Sequence, residues 1–564
     1  MTTKEGTVDS QLRIEYCLPK RLVWQQGNVQ APELILTNSS GQVILNAPKV
    51  CRMENNGTHA SILLDFGKEI HGSIQLKVAD TTDSKPVRLR IRLGESVGEA
   101  MSELYGQNNA TNDHAIRDQV ISVPWMGSFQ TSQSGFRFVR IDLIDSHSFF
   151  CLTEICALCF YRDISYRGRF KSDDDLLNRI WEVGAYTVHL NMQEYLWDGI
   201  KRDRLVWIGD IHPETMTINS VFGHNPVVPK SLDLVRDTTP LPQWMNGISS
   251  YSLWWILVHH SWYCYQGDLD YLYAQKDYLL GLLGILFDCV DAHGRESLPE
   301  GRFLDWPSST NKKAVHAGLH SLLTMTFDRS VELCLALGEP EIAEKCDLLA
   351  SKLRKYIPDP NGNKQAAALM VLAGLAEPDE INNNLLKLNG CRNMSTFYGY
   401  YVLQAMAKAG DFDGALDVVR RYWGGMLRLG ATTFWEHFDI GWMNNAARID
   451  EIASNGKRDV HGDYGEHCYT GYRHSLCHGW ASGPTAWLSE HVLGIRPLEP
   501  GFKKVQIAPS LGSLRWVEGV FPTPYGDIEV THTVESGRVK TDINAPDNVE
   551  VQRDTQDTWC AKSC

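Results

Sequence analysis

The feature that most constrains the fold is a long central region in which helical segments follow one another without intervening strands. From about residue 172 to residue 494, apolar side chains recur every three or four positions, which is the spacing of one face of a helix. Several segments end in glycine, as at Gly338 and Gly410, a common way to terminate a helix. Some 330 residues accommodate about twelve helices of ordinary length. We therefore predict six helical hairpins closed into an (α/α)6 toroid.

Individual helices can be placed within this region. Ser172 or Asp173 is the expected N-cap of the first helix, which carries Leu176, Leu177 and Ile180 on its apolar face. The clearest further helical stretches are residues 251–265, 268–289, 312–337, 339–356, 364–375, 396–409, 411–423 and 480–493. A solenoid of short helical repeats is the alternative arrangement, but the sequence has no fixed period of that kind.

Both ends of the chain show the two-residue period of β-strands instead. Residues 87–93 and 136–143 alternate between apolar and polar side chains, and residues 526–534 do so after Pro497 and Pro500. Gly67, Gly72 and Gly94 fall where turns or bulges are expected. We predict an N-terminal β-sandwich over 1–165, the helical barrel over 166–496 and a C-terminal β-sandwich over 497–564. With fewer than about 70 residues, the last unit is expected to pack on the barrel.

Charge and composition exclude several kinds of partner. The formal net charge is −14 and no run is rich in Lys or Arg, which argues against nucleic acid. No stretch approaches the roughly 20 apolar residues of a membrane span. The first twenty residues lack the apolar stretch of a secretory signal, so we expect a cytoplasmic protein, or a periplasmic one if a signal peptide has been removed.

The fourteen cysteines are scattered without a paired framework, which favours reduced thiols. Cys156 and Cys159 are the closest pair, but no second pair or histidine cluster completes a zinc site. We therefore expect neither a metal nor a cofactor. The sequence also lacks the GxSxG, GxxxxGK[ST], HExxH and GxGxxG motifs. The remaining chemistry is that of carboxylates.

Two distant segments supply such carboxylates. Residues 197–214 read WDGIKRDRLVWIGDIHPE and hold four carboxylates in the seventeen residues from Asp198 to Glu214, which suggests a loop at the mouth of the ring; a connecting loop with structural Asp–Arg pairs is the alternative. Residues 430–439 read GATTFWEHFD and place Glu436 among bulky aromatics, a setting that raises a carboxyl pKa. A buried glutamate paired with Arg or His is the more frequent outcome for one such residue. Glycoside hydrolysis needs two carboxyl groups on opposite sides of the scissile bond, and these segments meet that requirement.

Tryptophans are the usual platforms on which the apolar faces of sugars stack. The chain has seventeen of them, and the candidate platform residues are Trp244, Trp254, Trp255, Trp306, Trp435, Trp442 and Trp480. Because most large aromatic residues are simply core, we expect about half of these to be core.

Residues 198–210 resemble the signature of the bacterial α-L-rhamnosidases of glycoside hydrolase family 78. Residues 430–439 are similar to that family's second motif, and residues 475–483, followed by 487–495, are similar to a third near its last barrel helix. The three segments occur in the family's order, and the similarity extends into residues 500–526. The resemblance implies an (α/α)6 barrel as the catalytic domain, flanked by β-sandwiches, and an inverting, metal-independent hydrolysis of α-L-rhamnosides.

The resemblance also implies roles for individual residues. Asp203 falls at the general acid and Glu436 at the general base, while Asp198, Arg202 and Asp210 fall at positions that hold the rhamnose hydroxyls. Asp203 would protonate the leaving oxygen while Glu436 activates a water on the opposite face, with the carboxyl groups roughly 6.5–9.5 Å apart. The other residues expected to contact substrate are Trp207, Trp255, Asp305, Trp306, Trp435 and His478.

One position departs from the family. The family has Glu at the general-acid position, and Asp203 is one methylene shorter, which withdraws the proton by roughly 1 Å. Either the loop compensates, or Glu214 is the acid, or the specificity differs. Residues 198–201 read DGIK where the family more commonly has Asp-Cys-Pro, which indicates a divergent subgroup.

Three functions therefore stay open: an α-L-rhamnosidase, another enzyme of the helical-toroid kind, and a carbohydrate-binding protein without catalysis. The second class includes hydrolases of a related deoxy-sugar or uronic acid, and lyases, which need a Tyr or His base with a cation at the sugar acid. A binding protein predicts that Glu436 is turned away or salt-bridged. We expect a glycoside or oligosaccharide substrate, a monomer or homodimer, and an N-terminal region that buttresses the barrel rather than one that binds glycan.

Overall fold

The computed structural model of the protein describes residues 11–37, 41–44, 49–454 and 456–553. An N-terminal β region is followed by a ring of helices and then by a C-terminal β region. The predicted order of these three parts is confirmed. No helix in the described residues is both long enough and apolar enough to cross a membrane.

The N-terminal region is built around one long strand, Ala60–Thr81. It pairs with Ser134–Leu143 along its first half and with Ser148–Arg162 along its second half. The register shifts between Asp65 and Ile70, where Gly67 has a φ of +87°, a conformation that glycine adopts without strain. The irregularity expected at this glycine is confirmed. The other strands of this sheet are Leu12–Cys17, Arg21–Gln26, Asn28–Gln30, Cys51–Asn55, Val87–Gly94, Asp118–Val123 and Ser128–Gln130.

The central region contains a closed inner ring of helices in the described part of the chain. Each inner helix packs against the next, and the last returns to the first. The inner helices are Ile211–Val221, Ser249–Gln266, Lys312–Ala336, Lys364–Leu372, Thr396–Lys408 and Gly483–Trp487. Because they are covered on both sides, they are buried almost all round, as 11 of the 13 residues of Thr396–Lys408 show.

The helices between them in sequence form an outer layer. These are Asp175–Asn191, Val227–Thr238, Leu269–Ala274 with Lys276–Phe287, Pro340–Leu353, Pro378–Ile381 with the π-turn Asn382–Leu386, and Phe412–Arg428. Several of them carry one apolar stripe; in Pro340–Leu353 it consists of Ala343, Cys346, Ala350 and Leu353, at the three- and four-residue spacing of a half-buried helix. The alternation of outer and inner helices confirms the predicted (α/α)6 architecture.

The start of the first helix was predicted one or two residues too early. Asp174, not Ser172 or Asp173, caps it by accepting hydrogen bonds from the N–H groups of Leu176 and Leu177. Ser172 still belongs to the strand Arg169–Ser172, and the Asp173 carboxylate is engaged by Arg515. The stretch 268–289 is divided at Gln275. The predicted helix ends at Gly338 and Gly410 are confirmed, with φ values of +73° and +71°.

The C-terminal region consists of two small sheets. Strands Trp516–Thr523, Gly526–Glu535 and Arg538–Asn544 form the first together with Arg169–Ser172, which leads into the barrel. The second contains Ile495–Pro497, Lys504–Ile507 and Glu550–Arg553. The rings of Phe502 and Phe521 lie 5.5 and 6.1 Å from that of Tyr265, on an inner helix. This region therefore shares the core of the barrel, as predicted from its small size.

Candidate active site

The loop between the first outer helix and the first inner helix carries most of the predicted polar residues. Asp198 closes this loop, because its Oδ1 accepts a hydrogen bond from Leu205 N–H at 3.0 Å and its N–H donates to the Leu205 carbonyl at 3.1 Å. Between these contacts, Asp203 and Arg204 both have positive φ, of 59° and 57°. Left-handed residues other than glycine are strained, and such strain clusters at functional sites. The Asp198–Leu205 contacts therefore close a turn that contains Asp203.

A cavity of about 400 Å³ opens beside this loop, a size within the range of about 300–1,000 Å³ for small-ligand sites. Its walls come from the segments that precede four of the inner helices, so ring closure joins parts of the chain that are distant in sequence. The predicted residues that line it are Asp198, Arg202, Asp203, Trp207, Asp210, Trp306, Glu436, His478 and Trp480. A larger groove of about 870 Å³ lies beside the C-terminal sheet, and no predicted site residue lines it.

Glu436 is held in this cavity as an ionised carboxylate. Its Oε1 accepts a hydrogen bond from Arg202 at 2.7 Å, and its Oε2 accepts one from the N–H of Ser475 at 3.1 Å. Burial raises the pKa of Glu436, but the charges of Arg202 and His478 and the Ser475 hydrogen bond outweigh burial and keep the pKa below 4.5. Glu436 is thus in the form that a general base requires.

Asp203 is partly exposed in the same cavity, with 18% of its side chain accessible. Its Oδ2 accepts a hydrogen bond from Trp207 Nε1 at 3.0 Å. Its Oδ1 lies 3.4 Å from Nε2 of His114, a residue of the N-terminal β region. The expected acid is therefore oriented by one neighbour from its own loop and one from the preceding region.

Arg202 lies between the two carboxylates. Its Nη1 is 3.7 Å from Asp203 Oδ1, and its Nη2 is the donor to Glu436. Because both contacts use one guanidinium, the contacting oxygens are separated by no more than the two contacts and the width of that group. This bound lies inside the upper limit of roughly 9.5 Å for an inverting pair of carboxyl groups.

The floor of the cavity is a second polar cluster. Asp210 accepts a hydrogen bond from the Tyr251 hydroxyl at 2.9 Å and contacts Nε2 of His478 at 3.2 Å. Burial raises the pKa of Asp210 and, more strongly, that of Asp198. Burial lowers the pKa of His478, but Asp210, Glu436 and Asp198 raise it by more, so the imidazole is held closer to its charged form. The cluster offers both donors and acceptors to sugar hydroxyls.

Glu214, the alternative acid, does not line this cavity. Its side chain is fully buried, and neither of its oxygens has a hydrogen-bond partner among the described residues. Burial, with Asp210 and Asp198 nearby, raises its pKa well above the ordinary value. It lies behind Gly479, where an added Cβ would fall 2.1 Å from its Oε1. The geometry therefore favours Asp203 over Glu214 as the residue that reaches a substrate.

Three residues expected to contact substrate do not line the cavity. Trp255 is fully buried, and its Nε1 donates to the carbonyl of Leu232 at 3.2 Å. Trp435 is buried against Phe438, and Asp305 accepts hydrogen bonds from groups of the protein itself. Of the remaining platform candidates, Trp244, Trp254 and Trp442 also lie elsewhere. The structure therefore does not bring these residues to the cavity, and for the tryptophans this agrees with the expectation that about half of the platform candidates are core.

The cavity also contains residues that the sequence reasoning did not single out. These are Ile248, Tyr251, Gly301, Arg302, Phe303, Cys468 and Arg473. Arg302 is positioned by an ion pair with the buried Glu296, and Phe303 packs edge-on against Trp306 with ring centroids 5.2 Å apart. The sequence reasoning could have found Arg302 and Phe303, since they lie four and three residues before the predicted Trp306.

Lys201 connects the loop that carries Asp198 and Asp203 to the N-terminal β region. Its ammonium lies 2.9 Å from Glu95 and 3.2 Å from Glu99, and it donates to the carbonyls of Tyr472 and His474. All three charged side chains are buried. Glu95, Glu99 and His461 are close enough to hold a metal ion, but the ammonium supplies positive charge to the two carboxylates. The N-terminal region therefore supports the active-site loop directly.

Three family profiles match the chain. The profile of the glycosyl hydrolase family 78 α-rhamnosidase N-terminal domain matches residues 42–155. That of the bacterial α-L-rhamnosidase six-hairpin glycosidase domain matches residues 165–327, and that of the bacterial α-L-rhamnosidase C-terminal domain matches residues 494–552. Together they span more than half of the chain, in the order of the three regions of the fold.

Individual relatives agree with these profiles. An α-L-rhamnosidase of Alteromonas sp. (strain LOR) is 25% identical over 550 residues, which cover 87% of this chain and 55% of the relative. An α-L-rhamnosidase of Formosa agariphila is 22% identical over 530 residues, covering 85% of this chain and 53% of the relative. The chain thus spans about half the length of these relatives.

Solved structures share the fold at low sequence identity. The family 78 rhamnosidase of Bacillus sp. GL1 has a TM-score of 0.75 at 23% identity, covering 93% of this chain and 56% of that one. The rhamnosidase from Klebsiella oxytoca with rhamnose bound has a TM-score of 0.67 at 20% identity, covering 85% and 95%. Profiles, relatives and fold lead to one conclusion: the chain belongs to glycoside hydrolase family 78.

Proposed function

We propose that the protein is an inverting glycoside hydrolase that releases L-rhamnose from α-L-rhamnosides. The observation that carries this proposal is the position of Asp203 and Glu436, which come from distant segments and line one cavity on two sides of Arg202. Family membership supplies the sugar, since the relatives are named as α-L-rhamnosidases and the solved structures as rhamnosidases.

In the proposed reaction, protonated Asp203 donates its proton to the glycosidic oxygen as the bond to the leaving group breaks. Glu436, kept ionised by Arg202, removes a proton from a water molecule that attacks the anomeric carbon from the opposite face. The products are rhamnose of inverted configuration and the protonated leaving group. Asp203 then regains a proton and Glu436 loses one, which restores the enzyme for the next turnover.

The remaining cavity residues are proposed to hold the sugar. Asp198, Asp210 and His478 present charged or polar atoms to the hydroxyl groups, and Trp306, 40% exposed, offers an apolar ring to one sugar face. The left-handed turn at Asp203 and Arg204 is the proposed device by which an aspartate serves where the family has a glutamate. In this proposal, the turn positions the backbone of Asp203 so that its shorter side chain still reaches the glycosidic oxygen.

One observation also suits a second candidate, a carbohydrate-binding protein without catalysis. That candidate predicts a salt-bridged Glu436, and the Arg202 contact at 2.7 Å is such a bridge. Glu436 nevertheless lines the cavity and is not turned away from it. A lyase needs a Tyr or His base and a cation, and the cavity contains such groups. A lyase is less well supported because Tyr251 and His478 are both engaged by the Asp210 carboxylate, while Asp203 and Glu436 supply the two carboxyl groups that hydrolysis needs.

The test is hydrolysis of 4-nitrophenyl α-L-rhamnoside by the purified protein and by a Glu436→Gln variant. The proposal predicts turnover by the wild type and a loss of about 10²–10⁴-fold in kcat for the variant, the usual contribution of a general base. A wild type that binds L-rhamnose but hydrolyses no rhamnoside would favour the binding protein instead.

Further parts of the proposal concern the molecule as a whole. A cytoplasmic location is proposed because every cysteine in the described residues is a free thiol. The division into 1–165, 166–496 and 497–564 stays a prediction, as does the state of monomer or homodimer.

A further inference from the structure

A second cavity lies next to the active site, on the N-terminal β region. It has a volume of about 670 Å³ and is bounded by the loop at residues 112–116, the segment 130–133 and Arg204. His114 lines this cavity, and Nε2 of His114 is 3.4 Å from Oδ1 of Asp203. Asp203 itself lines the first cavity. The two cavities are therefore one side-chain contact apart, at the proposed general acid.

The position of the acid determines what this second cavity receives. A general acid donates its proton to the glycosidic oxygen, so the leaving group begins beside the acid and extends away from the rhamnose. The residue that follows Asp203, Arg204, turns its side chain away from the first cavity and lines the second. A leaving group attached at the oxygen beside Asp203 thus reaches the surface formed by His114 and Arg204.

The side chains of the second cavity have the chemistry of a sugar site. Arg204 lies over the ring of Trp197 at 4.8 Å, while its protein hydrogen bonds, to the Gln133 carbonyl and to His71, are long, at 3.4 and 3.5 Å. Its remaining N–H donors are available for a ligand. The side-chain amide of Gln133 makes no hydrogen bond within the described part of the chain. Gln133 is exposed, and so is Ser132 beside it. These groups are donors and acceptors for hydroxyls.

The lining of the cavity suits a leaving group rich in hydroxyls. Seven of the nine described residues that line it are polar or charged, and Ala115 and Ile116 are the two apolar ones. No carboxylate lines it in that part of the chain, so the Arg204 guanidinium is not neutralised there.

We propose that this second cavity is the leaving-group subsite and that it takes a sugar residue. The inference rests on the proposed function. The substrate is then an oligosaccharide or polysaccharide ending in α-L-rhamnose, and the N-terminal β region takes part in choosing it.

The test compares two substrates that share the rhamnose and differ in the leaving group: 4-nitrophenyl α-L-rhamnoside and an α-L-rhamnosyl disaccharide. The variants are Arg204→Gln and Gln133→Ala, and the control is Arg179→Gln, an exposed arginine on the first outer helix. Gln133 accepts the hydrogen bond from Arg204 through its backbone carbonyl, a contact that Gln133→Ala retains.

The proposal predicts that Arg204→Gln lowers kcat/KM for the disaccharide by about 10- to 100-fold, the effect of losing hydrogen bonds to a charged group. Gln133→Ala lowers kcat/KM for the disaccharide less and leaves that for the aryl rhamnoside unchanged. Because Arg204 belongs to the turn that carries Asp203, Arg204→Gln affects both substrates but lowers kcat/KM for the disaccharide more than that for the aryl rhamnoside. If both substrates lose equally, or neither loses, while the wild type is active, the subsite assignment is overturned. A wild type inert on both rhamnosides contradicts the proposed function instead.

Discussion

Replacement of Lys201 by methionine removes the ammonium that lies between Glu95 and Glu99, while keeping most of the side-chain volume. In the wild type the ammonium contacts both carboxylates and two carbonyl oxygens at 2.8–3.2 Å, and all three charged side chains are buried. Removal of one partner leaves buried charge uncompensated, which costs about 3–5 kcal/mol. We expect Lys201→Met to lower the free energy of unfolding by that amount.

The loss should depend on pH in a predictable direction. Burial already raises the pKa of Glu95 to about 7, with Lys201 acting against the rise. Lys201 also holds the pKa of Glu99 below its ordinary value. Without Lys201 the folded-state pKa of both carboxyl groups rises. A group with a raised folded pKa contributes stability below its unfolded pKa and loses it as pH rises through the folded pKa. The variant should therefore be closest to the wild type at acidic pH and furthest from it at pH 8.

The assay is guanidinium unfolding followed by tryptophan fluorescence at pH 5.5 and pH 8. Lys230→Met is the matched control, because the Lys230–Glu194 pair is exposed, with a contact of 3.5 Å, and such pairs contribute less than about 1 kcal/mol. A loss for Lys201→Met as small as that of the control, or one that does not grow with pH, would refute the assigned role of this cluster.

Three further predictions concern the cavity itself. Because Arg202 helps to keep the pKa of Glu436 below 4.5, Arg202→Met should move the acid limb of the pH profile of kcat/KM to higher pH, and an unmoved limb would contradict the pairing. Asp203→Asn should lose about 10²–10⁴-fold in kcat, with a smaller loss on rhamnosides whose leaving groups need little protonation; an equal loss on all of them would speak against Asp203 as the acid. Trp306→Ala should raise KM with little change in stability, whereas Trp255→Ala should lower the free energy of unfolding by about 3–5 kcal/mol, and thermal melts beside kinetics separate the two.

The sequence predicted the fold well because helical and strand periods are local signals. The inner helix Lys312–Ala336 and the outer helix Phe412–Arg428 were recognisable from spacing and terminal residues alone. The N-cap at Asp174 was missed because Ser172, Asp173 and Asp174 are all good capping residues. The choice among them depends on how far the preceding strand extends, and that strand pairs with residues 517–520 far along the chain.

The site was predictable mainly where a motif is contiguous. Asp198, Asp203 and Asp210 fall on one loop, and their common cavity follows from that loop's closure by the Asp198–Leu205 contacts. His114 was not predictable, since it reaches Asp203 across a domain contact that no local pattern encodes. Likewise, Trp255 and Trp306 could not be told apart from the sequence, because both are tryptophans near the predicted site. The packing of their segments buries Trp255 in the core and places Trp306 in the cavity wall.

The central claim is inversion by two carboxylates that act on opposite faces of one rhamnose. The most direct measurement is proton NMR of the anomer released in the first minutes of hydrolysis of 4-nitrophenyl α-L-rhamnoside, before mutarotation mixes the two forms. The account predicts that β-L-rhamnose appears first and that the α anomer grows in later. Appearance of α-L-rhamnose first would mean retention, and would contradict a general-base role for Glu436.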